Sequence, residues 1–281
     1  MRQLQWLFVA VLIGAAVVAV TVLRQRNRPS EQWWQQVRRY LSLPALQNRL
    51  RSVPALQEAQ RALQRQDWTA AEKALRQAVQ LDPTNKEAWQ LLMMVLARQG
   101  RINEAVLLVQ RIADPSLQAQ ALLTLADMSY LQGDFNRADA LYRRVLALDP
   151  NNATALNNYG YMLAERGIRL DEAERFIRKA LSLQPNEPAF WDSLGWVYYQ
   201  RGNYRQALRY IQRAAQKRPD DPEVRYHLGM VYWRLGDRHA ARREFQSALK
   251  VDPTYRPARE ALETLEQQEM EEEMRGETVR T

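Results

Sequence analysis

The chain has no cysteine, two histidines, ten glycines and twelve prolines in 281 residues. Without cysteine there can be no disulfide, thiolate nucleophile or zinc–thiolate site, although that absence does not fix the compartment. The two histidines, His227 and His239, stand in no metal-type spacing with carboxylates. No Walker loop, dinucleotide glycine pattern or nucleophile elbow is present. The chain therefore reads as a non-enzyme with no cofactor and no metal. Few glycines and prolines, with 46% apolar residues, suit a mostly helical protein and argue against disorder.

The net charge of +8 is unevenly placed. Residues 1–51 hold eight basic residues and one acid, Glu31, while the remainder holds 32 basic and 31 acidic residues. A nearly neutral body is poor material for a nucleic-acid stripe, so no nucleic-acid partner is expected. Leu4 to Val22 is apolar apart from Gln5 and Thr21. A helix of roughly 20 residues crosses the hydrocarbon core of a bilayer. One arginine precedes the run and Arg24, Arg26 and Arg28 follow it, which favours an uncleaved transmembrane anchor at 4–23 over a signal peptide. Arginines on that flank favour repeats on the cytoplasmic side, with an exported or periplasmic array as the alternative. In the juxtamembrane segment 24–51, Glu31 to Leu43 reads as a short amphipathic helix that Pro44 ends. Its Trp33, Trp34, Arg38 and Arg39 suit the headgroup layer, or alternatively packing on the first repeat.

From residue 52 onward one pattern recurs. The clearest copy runs from Trp191 through Leu194-Gly195, Tyr198, Ala207, Ile211 and Ala214 to Pro219. Trp191, Leu194 and Tyr198 share a helical face. Gly195 and Ala207 are small enough for two helices to cross closely, and Gly202-Asn203 separates them. Aligning on the terminal prolines gives six units, 52–85, 86–118, 119–152, 153–187, 188–221 and 222–255. The second unit is one residue short, and the fourth has an extra residue around Ile168 to Leu170. Ala258, Ala261, Leu262 and Leu265 mark a capping helix over 256–275, before a tail at 276–281. The acidic run Glu269, Glu271, Glu272 and Glu273 reads as a solvated helix end.

The six units resemble the tetratricopeptide repeat (TPR) family, with the look of a membrane-anchored bacterial-type member. The resemblance implies an all-α superhelix of helix-turn-helix repeats whose first helices line a concave, protein-binding groove. Residues matching the family's groove positions are Asp127 and Tyr130, Asn157, Asn158 and Tyr161, Asp192, Trp196 and Tyr199, then Tyr226, His227, Met230 and Trp233. The aromatics and Met230 would supply contact area, and the two asparagines could bond a guest backbone. Packing of these rings on neighbouring helices is the competing reading. Leu56 and Gln60 stand where chaperone-binding relatives carry a basic clamp, so that clamp is absent. The lack of cysteine likewise rules out the metal module of similar envelope regulators.

The expected function is a membrane-tethered scaffold that binds partner proteins, an assembly factor or accessory subunit of a membrane complex. The competing readings are an exported protein in cell-envelope assembly, an organelle import receptor and a regulatory subunit of an enzyme. Oligomeric state, partner and pathway are not written in the sequence.

Overall fold

The computed structural model describes residues 44–278. The apolar run, the Glu31–Leu43 segment and residues Arg24, Arg26, Arg28, Trp33, Trp34, Arg38 and Arg39 lie outside the described residues. Among the described residues there are thirteen helices and no strand, and no helix is long and apolar enough to cross a membrane. In chain order they are α1 (Pro44–Gln64), α2 (Trp68–Leu81), α3 (Lys86–Arg98), α4 (Ile102–Val109), α5 (Pro115–Leu131), α6 (Phe135–Leu148), α7 (Ala153–Glu165), α8 (Leu170–Leu183), α9 (Pro188–Gln200), α10 (Tyr204–Lys217), α11 (Pro222–Arg234), α12 (Arg238–Val251) and α13 (Arg256–Thr278). The chain divides into two compact units, Met1–Leu92 and Met93–Thr281.

In the first unit, α1 and α2 form a hairpin closed by Ala59, Ala71, Leu75 and Ala78, all fully buried. Within the described residues α1 runs from Pro44. The helix runs straight through Ser52, so its beginning leaves no trace at the expected unit boundary. In the turn Gln66 takes φ 57°, where later repeats place glycine. Asp67 then caps α2, accepting from the Ala70 N–H at 2.9 Å.

The second unit stacks helical hairpins α5/α6, α7/α8, α9/α10 and α11/α12. The turns of α5/α6, α9/α10 and α11/α12 are built the same way. After α5, the Gly133 N–H bonds Tyr130 O and the Asp134 N–H bonds Ser129 O, both at 2.9 Å. Gly133 has φ 76°, which costs a side-chain-bearing residue strain. Asp134, Asn203 and Asp237 then cap α6, α10 and α12 through their side chains. The fourth repeat departs from this because of its extra residue. There Arg169 sits at the cap in the left-handed region (φ 49°) and makes no side-chain cap bond. Its guanidinium binds Asp139, Tyr159 and Glu172 instead.

Helix α5 starts before the 119 boundary read from the repeat pattern. Asp114 accepts from the Ser116 and Leu117 N–H groups and Pro115 follows it, a strong helix start. Pro115, which alignment on terminal prolines places at the end of the short second repeat, is therefore the first residue of the next helix.

Within the ninth and tenth helices the close crossing is visible. A Cβ built on Gly195 would fall 2.4 Å from Ile211 Cγ1 and 3.2 Å from the Ala207 carbonyl oxygen. At the far end α13 covers the last hairpin. Ala258, Ala261 and Leu265 are buried, with Ala261 and Leu265 packing against Ala241 and Phe245. The acidic run expected to be merely solvated also fastens this helix. Glu272 takes both arms of Arg238, at 2.5 and 2.6 Å, and Glu269 pairs with Arg242. The arginines sit on α12 within reach of the acids, so part of the run serves as a clasp.

Candidate protein-binding groove

The candidate residues sit on the first helices α5, α7, α9 and α11 of the second unit. These helices pack on one another in order. The Tyr161 hydroxyl on α7 donates to Glu223 on α11 at 2.5 Å, passing over the hairpin between them. Contact between repeats two apart means that the first-helix side is the inside of a bend.

The structure places the candidates in three groups. In the first, Asp127, Tyr130, Asn158 and Tyr161 come together with Leu131 and Tyr142 around a cavity of about 240 Å³. Asp127 Oδ1 accepts from the Tyr142 hydroxyl at 2.6 Å and from Asn158 Nδ2 at 3.1 Å. Burial raises the Asp127 pKa, and those two hydrogen bonds work against the rise. The Tyr130 hydroxyl donates to Glu165. Burial and the adjacent carboxylates push the Tyr130 and Tyr161 pKa values well above the usual phenol range, so both stay protonated.

The second group is closed. Trp196 lies flat on Tyr199, with ring centroids 4.4 Å apart and planes 3° apart. Its other ring neighbours are His227 at 4.0 Å and, more distant, Tyr226 at 6.3 Å. His227 Nδ1 stands 2.8 Å from Asp192 Oδ2. Burial disfavours the imidazolium, but the Asp192 carboxylate outweighs it and holds the His227 pKa above its ordinary value. Asn157, Asp192, Trp196, Tyr199 and His227 are all buried, with Trp196 only 6% exposed. In place of a free aromatic surface, rings from adjacent first helices stack on each other. Asn157 Oδ1, Asp192 Oδ1 and Trp196 Nε1 are buried without a hydrogen-bond partner among the described residues.

The third group stays half-open. Tyr226, Met230 and Trp233 on α11 are partly buried against Ala241, Phe245, Ala261 and Leu265. Trp233 meets Phe245 edge-on at 6.2 Å, and Tyr226 meets Tyr255 at 6.0 Å. The groove positions did not include Tyr142, Glu165 or Glu223, although each touches a candidate residue. Tyr142 is a core position of a second helix, so only the fold brings its hydroxyl to Asp127. Among the described residues no cluster of three or more His, Asp or Glu could hold a metal ion.

Comparison with known proteins agrees with the helical hairpins. Residues 123–188 and 193–256 match one profile of the Tetratricopeptide repeat, and residues 62–126 match a second. The TPR repeat-containing protein PA4667 of Pseudomonas aeruginosa is 37% identical over 86 residues, which is 31% of this chain and 15% of that protein. The chain thus spans a small part of that relative's length. Among solved structures, the APC/C hetero-tetramer Cut9–Hcn1 superposes with a TM-score of 0.58 at 19% identity, covering 76% of this chain and 42% of that one. MamA of Desulfovibrio magneticus RS-1 gives a TM-score of 0.47 at 20% identity, over 60% of this chain and 96% of that one. At 19% identity the likeness to the Cut9–Hcn1 chain is one of fold.

Proposed function

The chain belongs to the tetratricopeptide repeat family, and from that premise we propose that it is a membrane-tethered scaffold that holds partner proteins. Its place is in assembling, or accompanying, a membrane protein complex. The observation that carries the binding role is the inside of the bend. There the cavity bounded by Asp127, Tyr130, Asn158 and Tyr161 opens beside the exposed Leu131, and Tyr226, Met230 and Trp233 keep part of their surface free. Aromatic rings and methionine supply contact area with little entropy loss, which is what a hot spot needs. The buried Trp196 and Tyr199 shape that surface from below and do not touch the guest.

The tether rests on the sequence. The apolar run from Leu4 to Val22, followed by Arg24, Arg26 and Arg28, suits a single span with the repeats on the cytoplasmic side. Holding the array at the membrane raises its effective concentration for membrane-borne partners without any new contact.

Both halves can be tested in native membranes. A photo-crosslinking residue at Met230 or Trp233 should capture one defined partner, identified by mass spectrometry. Crosslinks from Arg209, on the exposed side of α10, to the same partner at the same yield would sink the groove. Deleting residues 1–43 stops short of α1 and should release a folded, soluble chain. A truncated chain that still sediments with membranes would remove the tether.

A further inference from the structure

The cavity between α5 and α7 has an unusual hydrogen-bond balance. Each wall hydroxyl has already spent its proton. Tyr142 donates to Asp127, Tyr130 to Glu165 and Tyr161 to Glu223. The Asn158 amide also donates to Asp127. The wall therefore offers mainly acceptors, namely oxygen lone pairs, the Asp127 carboxylate and the faces of three tyrosine rings, with the second N–H of the Asn158 amide as its remaining side-chain donor.

The acids around it outnumber the bases, which are His227, facing Tyr161 at 6.1 Å, and Arg166, stacked on Phe135. Asp127, Glu165 and Glu223 bond only tyrosine hydroxyls and the Asn158 amide through their side chains, and none of them makes an ion pair among the described residues. Acids on the second helices differ. Asp139 pairs with Arg143 and Arg169, and Glu174 pairs with Arg178 and Arg201. The half-buried Asp127 carboxylate, with the exposed Glu165 and Glu223 at the rim, leaves acceptors beside the tyrosine rings that no lysine or arginine occupies among the described residues. Burial also lifts the Asp127 pKa, as expected of an acid with no cation beside it.

We propose that this cavity receives a cationic side chain, lysine or arginine, projecting from the guest polypeptide. The ammonium or guanidinium would donate to Asp127 and to the Tyr130 and Tyr161 oxygens, and its methylene stem would lie against Leu131 and the rings. The proposal rests on the groove reading and gives the guest a chemistry: its anchoring segment is basic.

Side-chain analogues make the test. The full chain, with carbon-13 in its tyrosine rings, is titrated with n-butylammonium, n-propylguanidinium, n-butanol and butyrate. Tyr130 and Tyr161 ring signals are assigned with the Tyr130→Phe and Tyr161→Phe variants. The two cations should shift both rings saturably, and butanol and butyrate should not. Asp127→Asn should weaken the cations roughly tenfold, the usual effect of removing a charged hydrogen-bond partner. Should that variant fail to fold, Glu165→Gln at the exposed rim serves in its place, with a smaller weakening in the same direction. Equal shifts from butanol, or no saturable shift from either cation, would overturn the proposal. Partner crosslinking from Met230 and Trp233 that persists in either case would leave the groove standing and remove only the basic anchor.

Discussion

Helices α9 and α10 belong to one repeat and live in different surroundings. In α9 every residue from Phe190 to Tyr199 is buried. In α10 only Ala207, Ile211, Ala214 and Ala215 are, on one stripe. The first helix is wedged between its own partner and the first helices on either side; the second has a free outer face. A solenoid thus spends most of the circumference of its first helices on internal packing. What remains for a guest is set by which rings the neighbours leave uncovered.

Substitutions can break that contrast. Trp196→Ala should cost about 3–5 kcal/mol, as for a large ring lost from a packed core. Chemical denaturation would measure it, and a cost near zero would mean that Trp196 is a surface residue after all. Gly195→Ala should cost about 1–3 kcal/mol, because its Cβ meets Ile211 and the helix backbone with little room to yield. Asn203→Ala removes the cap bond to the Gln206 N–H and should cost about 1 kcal/mol. Arg209→Ala, on the exposed face of α10, should stay within about 0.5 kcal/mol. Were Arg209→Ala as damaging as Trp196→Ala, the two faces would not differ as described.

A pH titration sharpens the same comparison. The His227 pKa is raised in the folded chain. Its contribution is therefore fully present below the ordinary histidine value of about 6.5 and is lost as pH rises through the higher folded value. Stability should decline over that window, and Asp192→Asn should abolish the decline. A wild-type curve that rises across the window would contradict the pairing.

Much of the fold could be read from residues alone. The Gly-Asp and Gly-Asn turns, the Trp191–Leu194–Tyr198 face and the small Gly195–Ala207 crossing each state a local rule that the packing obeys. Two boundaries were less legible. Asp114-Pro115 opens α5 by capping chemistry, whereas repeat alignment on terminal prolines takes Pro115 as the end of the second unit, and α1 continues through the boundary expected at Ser52. The site was only half legible. Groove positions could be carried over from the repeat register. Whether Trp196 is free or stacked depends on His227, 31 residues away, and on the curvature that brings α7 to α11. Nor does any linear pattern pair Tyr142 with Asp127 or Tyr161 with Glu223, since those contacts exist only after the hairpins stack.

Position-by-position photo-crosslinking along α7, α10 and α11 in native membranes puts the inside-of-the-bend claim to its most direct trial. One partner should be captured from Tyr161, Met230 and Trp233 and not from Arg205 or Arg209. Capture confined to Arg205 and Arg209 would place the guest on the outer face and overturn the claim.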